Sequence, residues 1–121
     1  MTLDHHKSLG AINIIVLDDE SLLRINRETL SHDYYTDIIT FDFSSGKKVA
    51  GDLYISIDRI RENARKFAVS ERTELHRVIA HGVLHLLGYK DKSKADQQVM
   101  RDAEDRYLQK LSELFHVEHI K

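Results

Sequence analysis

His81 and His85 stand four residues apart, and a glycine at position 88 and a carboxylate at Asp91 follow them. On an α-helix, residues at this spacing share one face, about 40° apart around the axis, so both imidazoles can reach a single ion. Gly88 falls where a helix commonly ends in a left-handed turn that glycine adopts at little cost, after which the chain can fold back. The run H, x3, H, x2, G, x2, D has the spacing with which metzincin-type zinc sites bring in a third ligand after a glycine turn. Three protein ligands leave one position open, which marks a catalytic rather than a structural zinc site. Such a centre can polarise a phosphoryl or carbonyl oxygen and acidify water.

One element of the metalloprotease pattern is absent. In HExxH the glutamate serves as general base, and here that position is Gly82, so ordinary zincin proteolysis is disfavoured. The sequence identifies no other general base. His76 lies about 140° around the same helix from His81 and is expected to face elsewhere. The pairs His5/His6 and His116/His119 lie near the chain ends without a comparable pattern. The chain has no cysteine, so any metal is bound by nitrogen and oxygen, and no disulfide framework is available. That suits a reducing cytoplasm.

The histidine helix needs a scaffold, and the flanking pattern supplies one. Ser70 reads as its N-cap, with Glu71 and Glu74 in the first turn. Leu75, Ile79, Val83 and Leu86 centre opposite the histidines, while Glu74 and Arg77 lie near them. Upstream, Ala11 to Leu17 reads as a buried strand, with a cap at Asp18 and Asp19 and a helix to about Ser31. Thr36 to Phe43 reads as a second strand, and the helix between the two suggests a βαβ crossover with parallel strands. Ser44 to Gly51 is turn-rich, and Asp52 to Ile57 alternates as a third strand in a hairpin with the second. Asp58 is the expected cap of a short helix to about Phe67. Ser93, with Asp96 three residues later, opens a charged helix to about Leu114.

A chain of 121 residues, 41% of them hydrophobic, closes one core, so residues 1–121 are read as a single domain. Residues 1–10 and 115–121 are expected to be poorly ordered. No apolar run is long enough to span a bilayer, and the start lacks a signal-peptide core, so the chain reads as soluble and cytoplasmic, without a membrane partner. A formal net charge of -2 gives no whole-protein attraction to nucleic acid, so RNA binding requires a local basic patch.

The segment HGVLHLLGYKD, His81 to Asp91, resembles the YbeY family, whose pattern H-G-x-L-H-L-x-G-Y-D-H it follows through Tyr89. Gly82, Leu84, Leu86, Gly88 and Tyr89 agree, as do both histidines. Asn26, Asp33, Thr36, Asp37 and Phe41 fit the family's N…R…D…TDVLSF pattern, and Gly51, Asp52 and Leu53 fit its GDI element. The resemblance covers roughly Ala11 to Lys110. It implies an α+β fold, with a small mixed β-sheet and helices packed around a central metal-bearing helix. It also implies a single-strand-specific, metal-dependent endoribonuclease acting in small-subunit (16S) ribosomal RNA 3′-end maturation and ribosome quality control. Ribosomal RNA and the small subunit are the implied partners.

Three departures stand out. The family's third histidine aligns with Asp91, its arginine aligns with Leu30, and its N-terminal strand and helix are shortened or absent before Ala11. A carboxylate can ligate zinc but leaves the site one positive charge lower than three neutral histidines do. One zinc per chain, held by His81, His85 and Asp91, is the expectation, and the oxygen donor also admits manganese, iron or nickel. Phosphate contacts are expected from Arg24, Arg27, Lys47, Lys48, Arg59 and Arg65, with Arg27, Arg59 or Arg65 standing in for the missing arginine. Two competing readings are a non-catalytic ribosome-assembly binding protein with a structural metal and a metallohydrolase of another substrate. Metal-dependent turnover of single-stranded RNA separates the nuclease from the binder, and a comparison with peptide substrates separates the two hydrolases.

Overall fold

In the computed structural model, which describes residues 8–114 (backbone alone at residue 9 and from 107 on), the first strand β1 spans Ser8–Leu17. It therefore begins three residues before the expected Ala11, and residues 8–10, expected outside the ordered fold, belong to the sheet. The expected fraying at 1–7 and 115–121 lies outside the described residues. Asp18 caps α1 (Asp19–Leu30), its Oδ1 accepting from the Ser21 N–H at 2.7 Å. The helix buries Leu22, Leu23 and Asn26.

β2 (Ile38–Asp42) and β3 (Lys48–Ser56) form the expected hairpin, with Thr40 opposite Leu53. β1 pairs with β3 in parallel, with Ile14 opposite Leu53 and Leu17 opposite Ser56. The strand order β1-β3-β2 corrects the expected β1–β2 crossover: the two strands are not paired with each other, and they run in opposite directions. The cause lies in β3, which extends back to Lys48, well before the expected Asp52. Its inward residues Val49, Gly51, Leu53 and Ile55 are all buried. The tight turn between β2 and β3 enforces antiparallel pairing on one edge, and β1 takes the other.

α2 (Ile57–Lys66) starts one residue after Ser56, and Ser56 rather than Asp58 is its N-cap, accepting from the Arg59 N–H. Asp58 instead accepts from the Asp19 N–H at 2.8 Å and ties the starts of α1 and α2 together. α3 (Glu71–Leu86) is capped by Ser70 as the sequence indicates. It lies between the sheet and α4 (Lys94–Leu114), and it buries Leu75, Val78, Ile79, Ala80, Val83, Leu84 and Leu86. Each fully buried aliphatic side chain of this kind contributes about 1.5–3 kcal/mol. Met100 and Ala103 complete the core from α4. This is the α+β architecture with a mixed sheet and a central helix.

At Gly82 the helix rests directly on the sheet. A Cβ there would lie 2.8 Å from Ile38 Cδ1 and 2.9 Å from Leu53 Cδ2. The missing glutamate of HExxH is thus a packing consequence: position 82 faces the core, where no side chain fits unless Ile38 and Leu53 move.

Candidate metal centre

α3 ends in a Schellman turn. The Gly88 N–H reaches the His85 carbonyl at 3.0 Å, the Tyr89 N–H reaches the Leu84 carbonyl at 3.0 Å, and Gly88 has φ +100°. The turn sends the chain back across the helix end and sets Asp91 over the histidine face. His81 Nε2 and His85 Nε2 lie 2.9 Å apart, and Asp91 Oδ2 is 3.4 Å from each. A tetrahedral ion with bonds of about 2.0–2.1 Å spaces its donors about 3.3 Å apart, so this triangle fits one divalent cation.

The other ring nitrogens show which atoms face the centre. His81 Nδ1 is 2.6 Å from Glu104 Oε2, and His85 Nδ1 is 3.1 Å from the Tyr89 carbonyl. A carboxylate and a carbonyl only accept, so both Nδ1 atoms carry hydrogen and both Nε2 lone pairs point inward. Two lone pairs and a carboxylate oxygen at these distances repel one another unless a proton or a cation lies between them. The residues therefore fit the ion that the spacing implies. Burial disfavours the charged His81 ring, but the Glu104 hydrogen bond and charge, with Asp37 and Asp91, outweigh it and hold the His81 pKa above its ordinary value. Asp91 is not the cap of α4, because Ser93 Oγ takes the Asp96 N–H at 3.0 Å.

The centre opens on two sides. A cavity of about 460 Å³ on the sheet side is lined by Thr36, Asp37, Thr40 and Asp42 with all three candidate ligands. A second, of about 290 Å³, lies toward α4, where Gln97, Met100, Arg101 and Glu104 face His81 and Asp91.

The expected phosphate-binding residues stand elsewhere. Arg24 and Arg27 are on α1, Arg59 and Arg65 on α2, and Lys47 and Lys48 at the β2–β3 turn, and none lines either cavity. Arg27 is paired with Asp33, and Arg59 is held by Asp19 at 3.1 Å and by Glu62 at 3.7 Å. Leu30 at the end of α1 also lies outside both. His76 is on α3 but lines neither cavity, and His5, His6, His116 and His119 lie outside the described residues.

Sequence reasoning missed Glu104. It is buried, and its two oxygens are divided between His81 and Arg77, whose Nη1 donates to Oε1 at 3.2 Å while Nη2 donates to Asp105 at 2.8 Å. The available signal was apolar spacing: Met100 and Ala103 define the inward face of α4, and Glu104 lies on it.

The comparisons agree with this site. The family model described as Endoribonuclease YbeY matches residues 2–112. An Endoribonuclease YbeY of Flavobacterium psychrophilum is 54% identical over 95% of this chain and 79% of its own length. One from Bacteroides thetaiotaomicron is 51% identical over 84% of this chain and 74% of its own. Among solved structures, that of TM1509 from Thermotoga maritima, determined in solution, matches with a TM-score of 0.59 at 26% identity, over 83% of this chain and 67% of that one. With the family model spanning the sheet, the histidine helix and the Asp91 turn alike, the chain belongs to the YbeY endoribonuclease family.

Proposed function

We propose that this protein is a metal-dependent endoribonuclease that cuts single-stranded RNA. Its substrate is the 3′ region of small-subunit (16S) ribosomal RNA, and it acts on the small subunit in the cytoplasm. Zinc, held by His81, His85 and Asp91, is the proposed cofactor. The observation that carries this reading is the convergence of two inward Nε2 lone pairs and one carboxylate oxygen between two open cavities. Family membership supplies the RNA substrate class, and no helix among the described residues is long and apolar enough to cross a membrane.

When bound, the metal supplies a Lewis acid for a phosphoryl oxygen and for water. The chain supplies orientation. Glu104 and the Tyr89 carbonyl fix the tautomers of His81 and His85, so neither ring spends its Nε2 on a competing hydrogen. The Gly88 turn holds Asp91 within reach of both rings. Gly82 leaves α3 without a base of its own, which removes the peptide-cleaving arrangement and leaves the open cavities to a substrate that brings its own hydroxyl or water.

The experiment is cleavage by tag-free, zinc-loaded protein of a single-stranded oligoribonucleotide, its duplex and an unstructured peptide. The expected result is cleavage of the single strand alone, abolished by chelation and by His81→Ala with His85→Ala. Cleavage that survives the double change, or none by the native protein, contradicts the proposal.

A further inference from the structure

The two sides of the centre differ in charge. Beside the candidate ligands, the sheet-side cavity is lined by the carboxylate of Asp37 and by no lysine or arginine, which disfavours the path of a polyanion. The α4 side presents Arg101. This arginine is exposed and has no hydrogen bond or ion pair among the described residues, whereas Arg27, Arg59, Arg61 and Arg77 are all engaged.

Arg101 also lines a further cavity of about 410 Å³, which shares Arg101 and Glu104 with the one at the centre and is lined as well by Phe67 and Val69. Phe67 is 58% exposed, with Lys66 Nζ 5.7 Å from the centre of its ring. Arg77 pairs with both Glu104 and Asp105 on this path and offsets one of their two charges, and Glu74 is buried in its wall. A free guanidinium followed by an exposed aromatic ring is the pairing that holds unpaired nucleotides, by phosphate contact and base stacking.

We propose that the groove along α4, from the metal centre to Phe67, seats the single-stranded RNA on one side of the cut, with Arg101 on a phosphate and Phe67 beneath a base. This rests on the nuclease reading above.

The test is steady-state cleavage of a single-stranded oligoribonucleotide by zinc-loaded Arg101→Gln, Arg101→Lys, Phe67→Ala and, for comparison, Arg61→Gln, over a range of salt. Arg101→Gln is expected to raise KM about tenfold with kcat and metal content unchanged, and to flatten the salt dependence by about one phosphate contact. Arg101→Lys recovers most of the loss, Phe67→Ala raises KM with the salt dependence intact, and Arg61→Gln matches the native protein. If the native protein cleaves but Arg101→Gln has native KM and salt dependence, or loses its metal, the groove assignment is overturned and the nuclease reading stands. If the native protein does not cleave RNA, both fall.

Discussion

His81 Nδ1 and Glu104 Oε2 lie 2.6 Å apart, so a carboxylate on α4 holds the ring whose other nitrogen faces His85 and Asp91. Arg77 grips the second oxygen of Glu104, so the carboxylate cannot rotate without losing one partner. The last helix thereby becomes part of the metal centre, although it contributes no candidate ligand.

The first prediction concerns this link. Glu104→Gln keeps the volume and one acceptor oxygen, and zinc affinity should fall about tenfold; Glu104→Ala should lose up to about 100-fold. The alanine variant also leaves Arg77 with Asp105 as its remaining partner and should lose about 1 kcal/mol of stability. Competition with a chelating dye measures the affinity, and native affinity in Glu104→Ala contradicts the positioning role.

Gly82→Ala tests the contact between helix and sheet. Alanine gains about 1 kcal/mol of helix propensity over glycine. Its Cβ would nevertheless meet Ile38 and Leu53 below 3.0 Å, and such overpacking costs about 1–3 kcal/mol. The expected net result is a loss of about 1 kcal/mol in urea unfolding, and a gain in stability contradicts the close approach. By the same reasoning Gly82→Glu, which completes HExxH on paper, yields an unfolded or displaced helix rather than a protease.

A third prediction follows from Glu74, which is buried, and whose pKa is raised by burial, against the attraction of Arg77 and with the repulsion of Asp37 and Glu104. Between the ordinary glutamate pKa and the raised one, the native state keeps a proton that the unfolded chain has released. Stability therefore falls as pH rises through that window, and a constant penalty remains above it. Glu74→Gln removes the penalty. It should unfold at higher urea than the native protein at about pH 7.5, and the gain should vanish as pH falls below the ordinary value. A variant less stable at neutral pH contradicts this.

What could be read from the sequence was what repeats locally. The His81/His85 spacing, the Gly88 turn and the Ser70 and Ser93 caps each depend on a few neighbouring residues, and each is present as read. The sheet order was not legible, because whether β1 pairs with β2 or β3 depends on which strand is buried at the centre, and Val49 to Ile55 settle that only in three dimensions. Asp58 looked like a cap because it follows a strand, yet Ser56 reaches the free N–H first. Glu104 and Arg101 were hidden for a similar reason. They sit in a strongly charged helix, 23 and 20 positions from His81 respectively, where sequence alone does not separate a buried glutamate or an unpaired arginine from solvated neighbours.

Whether His81, His85 and Asp91 together hold one divalent ion is read from the metal-to-protein ratio of folded, tag-free protein equilibrated with zinc. About one zinc per chain is expected in the native protein. Almost none is expected in His81→Ala with His85→Ala, and a large loss in Asp91→Ala with the fold intact by circular dichroism. Full occupancy in Asp91→Ala, or zinc retained by the double histidine variant, would contradict the three-ligand site.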